Sequence, residues 1–179
     1  MLLLTIPTRE YWDEEKEEFI YQQEKTIQLE HSLVSLSKWE AKWHKPFLSK
    51  DPKTKEEIED YVRFMTVTQN VKPEIYSGLT TEHYKQINAY IDDPMTATWF
   101  RKEKHRSTSE QVTAELIYYW MIALNIPFEC QKWHLNRLLT LIKVCNIKQQ
   151  PEQKMSKREI LANNAALNAA RRAKLKTKG

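Results

Sequence analysis

Glycine is almost missing from this chain: only Gly78 and Gly179 occur in 179 residues. Loops that cradle phosphates need several glycines in a short space, because the backbone must come close to the ligand. P-loop and dinucleotide-fingerprint readings are therefore excluded. Cysteine is as scarce. Cys130 and Cys145 stand fifteen residues apart with no CxxC pattern, so a structural zinc site has no ligand set and two thiols packed in helices are expected. A membrane span is lacking too. The longest apolar run, Leu116–Leu124, falls far short of the ~20 residues needed, and no membrane partner is expected. The apolar start Met1–Leu4 meets Pro7 and the acidic run Asp13–Glu18 at once. With no basic stretch before it and no small-residue cleavage site, it does not read as a signal peptide, and the cytosol is the expected compartment.

What is present is helix-forming and charged. Glu, Lys, Gln, Leu and Ala abound, and charged residues make up 29% of the chain. The charge is uneven. Residues 151–179 hold eight basic side chains (Lys154, Lys157, Arg158, Arg171, Arg172, Lys174, Lys176 and Lys178) against Glu152 and Glu159, a net of +6. The whole chain carries +4, so residues 1–150 carry −2. This predicts a slightly acidic body, 1–150, with a basic, partly mobile helical tail, 151–179.

Within the body, residues 2–6 read as a strand ended by Pro7, and Thr26–His31 alternates as a half-buried strand does. Residues 10–18 fit either a hairpin or a frayed helix. A small β element over 1–31 is expected. Ser32 then caps a helix whose face is Leu33, Leu36, Trp39 (or Glu40) and Trp43, ended by Pro46. Thr54–Glu57 reads as a capping box for a helix burying Ile58, Tyr61, Val62, Met65 and Val67. Thr80 or Thr81 caps a third, with Tyr84, Ile87 and Tyr90–Ile91 on one side. Residues 95–108 read as an exposed loop. Ser107–Glu110 reads as a second capping box, opening a helix to Leu124 that is apolar all round, as a central core helix is. Asn125-Ile126-Pro127 breaks it, and another helix is expected from Phe128 to Val144 or Cys145. The pair predicts a central αα-hairpin joined by a short turn. Ser156–Glu159 is a third capping box, opening an alanine-rich helix with little to bury, which frays by Lys176. The fold class expected is mainly α.

No constellation reads as catalytic. The acidic run 13–18 is a solvated surface, and Asp92-Asp93 ends a helix. Cys130 and His134 stand at helical i, i+4 spacing, yet no helix start or glycine nearby supplies an oxyanion site, so packing is the better account. No enzyme activity, cofactor or metal is expected. The aromatic helix 110–124 has no Lys or Arg, unlike a stacking platform for single-stranded nucleic acid. The basic tail, through Arg171, Arg172 and Lys174, keeps nucleic-acid binding open as the rival reading.

Three strings carry a resemblance: Leu29–Trp43; Met95-Thr96-Ala97 after Asp92-Asp93-Pro94; and Tyr118–Met121 with Asn125–Glu129 and Trp133–Leu139. With these the chain resembles the tail assembly chaperones of long-tailed bacteriophages over most of its length. The resemblance implies a non-enzymatic protein of the host cytoplasm that coats the tape-measure protein before tail tube protein polymerises around it. It implies action as repeated copies and absence from the finished particle. A lysine-rich end such as Lys174–Gly179 is compatible with a frameshifted longer product, as made in that family. The residues expected to line a groove for the tape-measure helix are Trp39, Trp43, Trp99 and Phe100, with Arg171, Arg172 and Lys174 serving a second partner. The alternative is a small nucleic-acid-binding protein, or another phage structural or adaptor protein, using the basic tail.

Overall fold

The computed structural model describes residues 1–13, 17–100, 111–149 and 157–175. Contacts divide the chain into two units, residues 1–146 and 147–179. The fold is mainly α, with a β element ahead of Ser32.

That β element has four strands, β1 (Leu2–Ile6), β2 (Arg9–Asp13), β3 (Glu18–Gln22) and β4 (Lys25–Leu29). β1 pairs antiparallel with β4, and β2 with β3. The register carries straight through: Ile6 faces Lys25, and three positions on Arg9 faces Gln22. The four strands therefore form one two-stranded ribbon, interrupted where Pro7-Thr8 stands opposite Gln23-Glu24. Pro7 has no N–H to give a ladder. Residues 10–13 and Glu18 lie in the strands of a hairpin and not in a helix; 14–16, within the same expected segment, lie outside the described residues. At the near end, Leu4, Ile6, Ile27 and Leu29 are buried. The free edge of β4 is covered by the chain after the second helix. Glu30 N–H donates to the Met65 carbonyl, and Val67 N–H to that of Gln28, both at 2.8 Å. The Gln28–Glu30 end of that edge is therefore closed to further strands.

Helix α1 (Leu33–Trp43) starts on Ser32, with Ser35 completing the capping box, and ends at His44 in the left-handed region (φ 52°). Helix α2 (Lys55–Met65) starts on the Thr54–Glu57 box. Its inner face differs from the expected one. Ile58 and Val67 are exposed, whereas Glu57 and Asp60 are buried with Tyr61, Val62 and Met65. The polar pair faces α1 because both residues are used there. The Glu57 carbonyl accepts from Trp39 Nε1 at 2.8 Å and its carboxylate from Lys45 at 2.6 Å, while Asp60 accepts from Lys42. Helix α3 (Thr81–Asp92) is capped by Thr80 and buries Ile87 and Tyr90.

Helix α4 (Ala114–Ala123) opens on Thr113, later than expected. The 107–110 capping box lies outside the described residues. The second long helix also starts late. Phe128–Lys132 is a 3-10 turn, and α5 runs Leu135–Gln149. Trp133 is extended, and His134 forms a β-bridge with Ser32 while Leu135 N–H donates to the His31 carbonyl at 2.7 Å. These tertiary bonds take the place of helical ones, so the expected short turn becomes a longer connection.

Two apolar clusters result. One joins the near ribbon to Trp39, Tyr61, Val62, Met65 and Ile87. The other joins Leu33 and Leu36 to Ile117, Met121, Leu135, Leu138 and Ile142. Phe47 packs against both and stacks on Tyr61 with ring centroids 3.9 Å apart. Gly78 ends a 3-10 turn, Pro73–Gly78, at a close approach: a Cβ there would stand 2.9 Å from Ile6 Cγ2 and 3.3 Å from Gln22 Nε2. Ile6 is fully buried, so it cannot swing away. Gly78→Ala is therefore expected to cost about 1–3 kcal/mol by overpacking, read as a lower urea midpoint at unchanged slope. An unchanged midpoint would show that the turn yields.

The second unit contains α6 (Lys157–Leu175), whose described side chains are all exposed. The expected Ser156 cap, the boundary at Pro151 and the fraying end lie outside the described residues.

Candidate protein-binding surface

The apolar helix α4 has its start held by a side chain from α1. The first free N–H of α4, that of Ala114, donates to Glu40 Oε2 at 2.7 Å, and Phe47 N–H donates to Glu40 Oε1 at 2.7 Å. One buried carboxylate on α1 thus holds both the helix N-terminus and the residue shared by the two clusters. A negative charge at that end also meets the positive pole of the helix dipole. Burial pushes the Glu40 carboxyl up; the two backbone donors pull it the other way.

With its start fixed, α4 turns Ala114, Ile117 and Met121 inward. Its outer face is not covered. Tyr119 is 63% and Ile122 61% exposed, with Ala123 exposed beside them. Tyr119 and Ile122 are three apart and so share one face. The helix is thus not the enclosed core element expected from its composition. Beyond it, Asn125 takes the left-handed conformation (φ 52°), and Ile126 N–H returns to the Met121 carbonyl at 2.8 Å. This turn brings Phe128, more than half exposed, to 6.4 Å from the Tyr118 ring. Tyr119, Ile122 and Phe128 give this end of the body an apolar surface.

The four aromatic residues expected to line a groove are scattered. Trp39 is 1% exposed. It is a core residue, held by its bond to the Glu57 carbonyl, and cannot meet a partner. Trp43 is half-buried, 6.4 Å from the Trp39 ring. It lines a recess with Lys42, Glu56, Glu59, Asp60 and Arg63. That recess is charged, so it does not suit an apolar helix. Trp99 is 81% exposed. Phe100 is half-buried, with Lys143 Nζ 4.2 Å from its ring centre. Arg171, Arg172 and Lys174 are exposed on α6.

No family model, curated protein or solved structure matches this chain.

The buried histidines and tyrosines are used in packing. His31 and Tyr61 share a hydrogen bond of 2.5 Å, and the His134 ring lies 5.1 Å from that of His31. His134 Nε2 donates to the Tyr90 carbonyl at 2.9 Å, and its Nδ1 accepts from Asn136 N–H. Burial, with His134 beside it, pushes His31 down to about 3, and burial raises Tyr61 and Tyr90. Cys130 and His134 do not lie on one helix; burial raises the Cys130 thiol, which suits a packed and unreactive group. Among the described residues no group of three or more His, Cys, Asp and Glu is placed to hold a metal ion, and no helix is long and apolar enough to cross a membrane. A cavity of about 450 Å³ beside the ribbon is lined mainly by polar residues, among them Gln23, Glu24, Lys25, Lys72 and Glu74.

Sequence reasoning missed Tyr119, Ile122 and Phe128 as surface residues. The signal was there: an apolar-all-round helix is either enclosed or awaiting a partner. It also missed the aromatic far end of the ribbon. Trp12, Phe19 and Tyr21 are each at least half exposed, with the Trp12 and Phe19 rings edge to face at 5.0 Å.

Proposed function

We propose that this protein is a non-enzymatic tail assembly chaperone of a long-tailed phage, acting in the host cytoplasm and absent from the finished particle. It would coat the tape-measure protein in repeated copies until tail tube protein replaces it. The observation that carries this reading is the uncovered apolar face of α4, with Tyr119 and Ile122 outward and Phe128 beside it. The three sequence strings that resemble such chaperones support it. A tape measure is long and helical, and its apolar stripe needs cover until the tube closes. An exposed helix face offers that cover through side-chain packing. Many modest contacts along one partner give avidity while leaving each copy free to depart. The surface differs from the one first expected, because Trp39 is inside.

Co-expression with the tape-measure protein of the same phage tests the reading. Soluble tape measure is expected only when this chain is present, and Tyr119→Ala/Ile122→Ala is expected to reduce the soluble amount about tenfold while leaving the chain folded, a loss of about 1.4 kcal/mol. Equal solubility with and without the chain would overturn it. The rival, nucleic-acid binding through Arg171, Arg172 and Lys174, would show as affinity for random DNA that falls steeply with salt.

A further inference from the structure

Among the described residues, the far end of the ribbon and helix α6 both present exposed side chains: Trp12, Phe19 and Tyr21 on the one, and every described side chain on the other. Each has chemistry that suits the other. Residues 9–22 carry Glu10, Asp13, Glu14, Glu15, Glu17 and Glu18 against Arg9 and Lys16, a net of −4. Residues 157–175 carry Lys157, Arg158, Arg171, Arg172 and Lys174 against Glu159, a net of +4. Cross-strand pairing sets Glu10 opposite Tyr21 and Trp12 opposite Phe19. Alternation then puts all four on one face of the ribbon. That face is an aromatic strip, exposed, with the Glu10 carboxylate at its edge. Arg9, on the other face, is held by the Ser77 carbonyl at 2.6 Å and Ser77 Oγ at 2.9 Å, so the strip faces away from that anchor.

On α6, Ile160, Leu167, Arg171 and Lys174 follow one another at intervals of seven, four and three, which is one face of a helix. The face is apolar at its start and basic at its end, and all four side chains are exposed. A guanidinium over an indole or phenol ring is a favourable pair, more so with a carboxylate at the ring's edge.

We propose that the Trp12–Phe19–Tyr21 face of one copy receives the Ile160–Leu167–Arg171–Lys174 face of α6 from a second copy. The contact is heterologous, since the donor and acceptor surfaces differ. Each copy then has one of each to offer, and copies add head to tail. The inference concerns contacts between copies only and does not rest on the tape-measure reading, so no tape-measure protein enters its test.

Sedimentation of the full chain provides that test. At about 50 mM salt the protein is expected to self-associate beyond a dimer as its concentration rises. At about 500 mM, where charges are screened over a few ångströms, association is expected to weaken at least tenfold. Trp12→Ala/Phe19→Ala and Arg171→Glu/Lys174→Glu, each on exposed positions, are each expected to be monomers with the parent's circular dichroism. Mixed, they retain one intact pair of surfaces and are expected to form a 1:1 complex that grows no further. A monomeric parent at every concentration, or variants that associate as the parent does, would overturn the proposal. So would two monomeric variants that stay apart when mixed.

Discussion

Replacing Glu40 by alanine is expected to lower the unfolding free energy by about 2–6 kcal/mol, the sum over the two backbone donors it satisfies. The carboxylate accepts two backbone N–H bonds, from Ala114 and Phe47, in a buried setting. Without it the buried Ala114 donor and the part-buried Phe47 donor lose their acceptor, and each orphaned group costs about 1–3 kcal/mol, the Phe47 one at the lower end because water can reach it. The damage falls where α4 begins and where the two clusters meet. Glu40→Gln keeps one carbonyl oxygen but presents an NH2 to the other donor, so about half the loss is expected. Urea unfolding of the parent and both variants checks the order. Equal midpoints for parent and alanine variant would show that water satisfies the two donors and that the carboxylate is not what fixes α4.

Acid is expected to destabilise the body well before most carboxylates titrate. His31 is held down to about 3 by burial and by its neighbour His134, against an unfolded value of 6.5. The folded state therefore binds fewer protons than the unfolded one between those values. Stability is full above pH 6.5 and falls as pH drops, by about 1.4 kcal/mol per unit. Two groups modify the slope. Glu40, pushed up by burial, takes its proton early in the folded state and offsets part of the loss. Glu57, held down chiefly by its bond to Lys45, adds a further loss once pH falls below the ordinary carboxylate range. Tyr61, Tyr90 and Glu30 also surround the pair; the Tyr90 hydroxyl donates to Glu30 Oε1 at 2.7 Å. Between pH 7 and pH 5 a drop of roughly 2 kcal/mol is expected from His31. His31→Gln is expected to be less stable at pH 7 but nearly flat over that range. A parent as stable at pH 5 as at pH 7 would show that the folded protein tolerates a charged His31.

Much of this fold is legible in the sequence, and the reason is local chemistry. Ser32, Thr54 and Thr80 announce helices because their hydroxyls meet backbone donors three residues on. A short apolar run closed by Pro7 marks residues 2–6 as a strand, and alternation marks Thr26–His31 as another, because one face must be buried. The misreadings have a different source. Phe128–Trp133 fits a helical period, yet Trp133 and His134 extend because Ser32 and His31, a hundred residues earlier, claim their backbone. Ile58 lost its place in the core to Glu57 and Asp60, whose partners Lys45 and Lys42 no local pattern shows. The outward side of α4 is illegible for the same reason: composition reports that a helix is apolar, and only its neighbours decide which side is left over. Trp39 and Trp43 lie on one face of α1, but the depth of that face is set by α2.

Helix α1 is a wall common to two rooms. Leu33 and Leu36 face one cluster, Trp39 the other, and Glu40 stands at the corner. A change in those eleven residues is felt on both sides at once, so this helix has little freedom to drift over generations. Trp12, Phe19 and Tyr21 at the far end of the ribbon, and the described side chains of α6, are exposed instead. Exposed side chains such as these can be exchanged with little effect on folding, so a lineage can vary this surface without relearning how to fold.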